Sequence, residues 1–109
     1  MADDLDLVKG TLDLLILKTL TWGPLHGYAI ARWVRETTGD ALQIEEGALY
    51  TGLHRLEERG WIKSEWGLSD NNRRARYYQL TTGGRRHLTA RAERWTRYAS
   101  AVSKVLQAT

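Results

Sequence analysis

The chain contains no cysteine, which excludes both a disulfide framework and a thiolate metal site. No uninterrupted apolar run is longer than Leu14 to Leu17, far too short to cross a bilayer. The opening MADDLDLVKG is acidic and has neither the basic nor the apolar region of a signal peptide. A cytoplasmic, non-membrane location is therefore expected. His26, His54 and His87 stand far apart, outside any metal-ligand spacing. The glycines sit at turns and helix ends rather than in a phosphate-binding loop. Ser64, Ser69, Ser100 and Ser103 have no nucleophile-elbow context. The carboxylate pairs Glu45/Glu46 and Glu57/Glu58 are adjacent on a helix and point in different directions. No metal, cofactor or catalytic machinery is expected, and a binding protein is favoured over an enzyme.

What is present is basic and unevenly placed. The formal net charge is +3. Asp3, Asp4 and Asp6 crowd the start, whereas Arg73, Arg74, Arg76, Arg85, Arg86, Arg91, Arg94 and Arg97 share their span with a single acid, Glu93. That polarity fits a nucleic-acid partner, or a solvated helix face. By size the chain forms one unit able to bury a real core.

Leu12, Leu15, Ile16 and Leu20 recur at helical spacing, and Trp22, Gly23 and Pro24 break that run. A second helix from about Leu25 turns Tyr28, Ile30, Ala31 and Val34 to a core and stops at Gly39. Leu42, Gln43 and Ile44 alternate as one short strand. From Glu45 to Trp61, Leu49, Leu53 and Leu56 make one face of a third helix. Glu45 and Glu46 suit its N-terminus, and Gly60 reads as its terminator. Trp61 to Trp66 and Ala75 to Leu80 then read as strands around the turn-rich GLSDNN, a hairpin. Thr81 or Thr82 caps a long last helix. The order helix, helix, short strand, helix, hairpin, helix is mainly α (α+β). It describes a winged helix-turn-helix over residues 1–81, followed by a dimerisation helix over 82–109.

The last helix has its own pattern. Leu88, Ala92, Trp95, Ala99, Val102 and Leu106 alternate spacings of four and three, an a/d heptad seam. It spans roughly five turns, more than a domain of this size covers by itself. Leu5 and Leu7 likewise have no obvious place in the core. Together these segments predict a homodimer interface.

In a helix-turn-helix the second helix enters the major groove of double-stranded DNA. Here it carries Gly47, Ala48, Tyr50, Thr51, His54 and Arg55 opposite the leucine stripe. The small residues let the helix approach base edges. Arg55 suits guanine or a phosphate, and Tyr50, Thr51 and His54 can donate to phosphates or bases. Tyr50 also fits partial burial beside the leucines, and Arg59 fits a pair with Glu58 or open solvent. At the hairpin tip Asn71, Asn72, Arg73 and Arg74 suit the backbone or a minor groove. A winged helix devoted to protein contacts alone is the competing class, though it needs no such basic face.

The segments KGTLDLLILKTL, GPLHGYAIA, EEGALYTGLHRLEERGWI and NNRRARYYQLT, in this order, resemble the PadR transcriptional regulators over about Leu7 to Leu106. The resemblance implies a homodimeric winged-helix repressor of a palindromic operator, of the small type with one C-terminal helix. It carries DNA contacts to Tyr50, His54, Arg55, Arg73 and Arg74. One departure is Thr51, where the family usually has a proline that fits a first helical turn; this leaves operator preference open. Some small members bind planar drugs at a tryptophan of the last helix. Trp95 matches that position, which implies either a small aromatic or cationic effector at the dimer centre or plain interface packing. Lys9 and Asp13 are candidates to line the same cavity.

Overall fold

The computed structural model describes Leu7 and residues 10–109. Among these, α1 (Thr11–Thr19) starts at Gly10, whose φ of 90° is in the glycine-favoured region, and tightens into a 3₁₀ turn at Leu20–Trp22. The two-residue strand β1 (Leu25–His26) follows. His26 then caps α2 (Gly27–Thr37), its Nδ1 accepting from the Ala29 amide at 3.2 Å. Helix α3 (Glu46–Glu58) ends at Gly60, φ 78°, where the Gly60 and Trp61 amides return to the carbonyls of Glu57 and Leu56. Strands β2 (Ile62–Leu68) and β3 (Arg74–Leu80) form the hairpin, and α4 (Thr82–Gln107) closes the chain.

The sheet is antiparallel in the order β1-β3-β2. Its third strand is not the expected Leu42–Ile44 segment, which carries no strand, but Leu25–His26 paired with Tyr78 and Tyr77. Alternation across three residues reports only which side chains face inward, and Ile44 packs on the core from a loop. Strand formation needs a free sheet edge, and the open edge of β3 lies beside β1. The hairpin strands also run further than their apolar residues suggest, so Leu68 and Arg74 pair across the ladder.

The core gathers Ile16, Leu17 and Leu20 with Ile30 and Val34 of α2, Leu49, Leu53 and Leu56 of α3, and Ile62, Tyr78 and Leu80 of the sheet. Leu88, expected in the dimer seam, is buried in this same core. The first turns of α4 are locked down by Thr81. Its Oγ1 accepts from the Gly84 amide at 3.0 Å and donates to the Gly60 carbonyl at 2.7 Å, tying α4 to the end of α3. Gly84 lies so close beneath Trp61 that any Cβ would collide with the Trp61 carbonyl. Tyr28, expected at the core, points outward instead. It lies two residues from buried Ile30, and two residues is more than half a turn around a helix.

Candidate nucleic-acid interface

The leucine stripe of α3 is fully spent on the core, so the opposite face is left to solvent. Ala48, Thr51 and His54 stand on it, exposed. His54 Nε2 pairs with Glu58 Oε1 one turn on, at 2.5 Å. Tyr50 flanks this face on the wing side. Its phenol lies so close over Gly27 that a Cβ there would sit 2.8 Å from the hydroxyl oxygen. Glycine at 27 therefore makes the seat for Tyr50, which is held there while remaining 46% exposed.

Arg55 does not share the outer face. It turns to the other flank, over Gly52, and its Nη2 donates to Asp13 Oδ1 of α1. The side chain of Asp13 is only 17% exposed and that of Arg55 42%. The reason is helical geometry: Arg55 lies about 100° from His54, which brings it to α1, where a half-buried carboxylate needs a cation. Arg59 stays exposed, as one of its two expected readings has it, with its guanidinium 5.3 Å from the Trp61 ring rather than paired with Glu58.

The wing rises beside Tyr50. Between them lies a groove of about 920 Å³, bounded by Tyr28 and Arg32 of α2, Tyr50 of α3, and Trp66, Arg73 and Arg74 of the hairpin. Asn72 takes a left-handed φ of 62° at the tip. The Ser69 hydroxyl accepts from the Arg73 amide and donates to Asn71 Oδ1, so the tip is an ordered turn that presents Arg73 outward. At the wing's base Ser64 donates to Glu57 Oε2 at 2.6 Å and accepts from Arg76 Nε at 2.8 Å, while Arg76 pairs with Glu57 at 3.6 Å. The reading helix and the wing are thus joined by a polar chain. Tyr78 beside it has its phenol pKa pushed up by burial, partly offset by Arg76. Sequence reasoning passed over Tyr28, Arg32 and Trp66. The register Trp66 opposite Arg76 would have exposed the last, but register depends on where the turn closes.

A second groove, of about 480 Å³, lies between α1 and α4, where Gly10, Thr11 and Leu14 face Arg91, Trp95 and Tyr98. Arg91 Nη2 donates to the Gly10 carbonyl at 2.8 Å across it. Trp95 does line this groove. Asp13 does not: its carboxylate is turned to Arg55. Lys9 and Leu5 lie outside the described residues, and Leu7 is half-buried. Beyond Leu88 the seam opens to solvent: Ala92 and Ala99 are partly covered, while Trp95, Val102 and Leu106 are exposed, as are Tyr98 and Val105 beside them. Below the groove His87 stacks on Trp61, centroids 3.5 Å apart and 13° from parallel, with its Nε2 buried and unpartnered. Burial, reinforced by Arg91, holds the His87 pKa below its usual value. Among the described residues no cluster of three or more metal-ligating side chains forms, and no helix is long and apolar enough to cross a membrane.

Residues 16–90 match the family model described as the transcriptional regulator PadR-like family. An uncharacterized protein from Lysinibacillus sphaericus is 32% identical over 91 residues, 83% of each chain. Among solved structures, a transcriptional regulator from Clostridium thermocellum is similar at 32% identity and a TM-score of 0.80, covering 88% of this chain and 90% of its own. A PadR family transcription regulator from Clostridium difficile is similar at 31% identity and a TM-score of 0.77, over 89% and 99% of the two chains. With the winged helix and its basic groove, these likenesses show that the chain belongs to the PadR-like family and is a DNA-binding transcriptional regulator, not an enzyme.

Proposed function

We propose that the chain is a cytoplasmic homodimeric repressor whose two α3 helices and wings read a palindromic operator. The observation that carries this reading is the meeting of the outer face of α3 with the arginine-bearing wing along one groove. Ala48, Thr51 and His54 face the bases, Tyr50 reaches the backbone from its seat on Gly27, and Asn72, Arg73 and Arg74 hold phosphates or the minor groove. Arg55 contributes from the flank, where its pair with Asp13 orients α3 on α1. For the dimer, the support is the apolar stripe on the outer half of α4, which finds no cover among the described residues. Leu5 and Leu7 would complete the interface, with Leu88 supporting it from beneath. The division into residues 1–81 for DNA and 82–109 for pairing is then functional, since both halves share one core.

Selection from random-sequence duplexes tests this directly. A recovered palindrome with half-sites about one helical turn apart fits a two-fold dimer; no enrichment at low salt would leave a protein-interaction module instead. Arg73→Ala should lower the salt slope of binding by about one per lost phosphate contact.

A second reading concerns Trp95 in the α1–α4 groove. A planar aromatic or cationic effector stacking there would relieve repression. Its test is ligand quenching of tryptophan fluorescence that disappears in Trp95→Ala while the dimer persists.

A further inference from the structure

Trp66 is a large apolar side chain left 56% exposed on a two-stranded ribbon. The reason is the pleat. Ile62, Ser64 and Trp66 share a sheet face with Leu80, Tyr78, Arg76 and Arg74. That face starts in the core at Ile62 and Leu80 and leaves it toward the tip, so Trp66 is carried past the core to the groove wall. Two guanidinium groups lie on its ring: Arg74 at 4.5 Å and Arg76 at 5.8 Å. Their environments differ. Arg76 is committed to Ser64 and Glu57 of the polar chain that braces the wing on α3. Among the described residues Arg74 has no carboxylate partner within ion-pair distance, and the indole is what holds it.

We infer that Trp66 is a positioning residue for DNA binding, holding Arg74 toward the phosphate backbone while the Glu57–Ser64–Arg76 chain fixes that platform against the reading helix. This rests on the proposed reading of the wing as a DNA contact. Contact with a ring face consumes no N–H group, so the donors of Arg74 stay available for a bidentate phosphate contact. The ring also pre-orders a side chain whose ordering would otherwise be charged against binding.

The test is a double-mutant cycle, with the full chain titrated against a labelled duplex recovered from the selection. Arg74→Ala should weaken binding about tenfold and Trp66→Ala about fivefold, with the double variant no weaker than Arg74→Ala alone. The salt slope should fall by about one in Arg74→Ala, and also fall in Trp66→Ala although no charge is removed. Trp66→Phe should retain most of the affinity. Trp66→Leu, which keeps the apolar cover without a ring face, should behave like the alanine variant and guards against a wing that merely misfolds. Losses that multiply, or a Trp66→Leu protein with unchanged affinity, would overturn the platform while leaving the wing reading intact. An Arg74→Ala protein with wild-type affinity would overturn the wing contact and the platform together.

Discussion

Helices α3 and α4 carry nearly the same stripe and meet opposite fates. In α3, Leu49, Leu53 and Leu56 are all but sealed from solvent, at 3%, 0% and 0% exposure. In α4, Leu88 is sealed too, but further along Trp95 is 41% exposed and Leu106 78%. Periodicity states that a face wants cover; it does not state who supplies it. For α3 the cover is α1, α2 and the sheet of the same chain. For the outer half of α4 no described residue supplies it, and the proposed second copy would. Stability should therefore be local to the chain at one stripe and dependent on association at the other.

The sharpest test contrasts the two stripes directly. Leu53→Ala should cost about 2–5 kcal/mol in urea unfolding at any protein concentration. Leu106→Ala should cost an amount that grows with protein concentration and shrinks toward zero in dilute solution, because the stripe contributes only through pairing. Equal, concentration-independent losses would erase the distinction. Next comes Gly84→Ala, which forces a methyl into the Trp61 carbonyl where α4 joins the wing. Roughly 1–3 kcal/mol of stability should be lost in thermal unfolding. A neutral outcome would mean that the base of α4 yields. Removing the Thr81 hydroxyl should cost about 1 kcal/mol, since both the α4 cap and the tie to Gly60 go with it.

The smallest effect is in pH. His87 is more easily kept neutral in the folded chain than at its ordinary value of 6.5. The folded state therefore disfavours the protonated form. Its stabilising share is complete above the unfolded value and is lost as pH falls below it toward the lowered folded value. His87→Phe, which keeps a ring against Trp61, should flatten the stability profile as pH falls below 6.5. An unaltered slope would assign that dependence to other groups.

Much of this was readable from short stretches. The α3 stripe, the terminator Gly60, the Thr81 cap and the hairpin all depend on residues within a few positions of one another, as helical spacing and turn chemistry do. Where the reading went astray, distant partners decided. Leu42–Ile44 has a strand's alternation but no edge to join, whereas Leu25 and His26 meet β3 more than fifty residues on. Tyr28 sat among apolar neighbours in sequence and on the opposite side of its helix in space. The exposed stance of Trp66 followed from how far the ribbon runs beyond the core.

By itself the sequence determined the order of the helices and the hairpin, the leucine face of α3, the basic wing and the family. Only the tertiary structure decided that Arg55 pairs with Asp13, 42 residues away, that Arg91 reaches Gly10 across 81, and that Leu88 belongs to the core rather than to the open seam. The reason is physical: a helix or a turn is specified by neighbours along the chain, whereas the partner of a charge or a leucine is set by which elements the fold brings side by side.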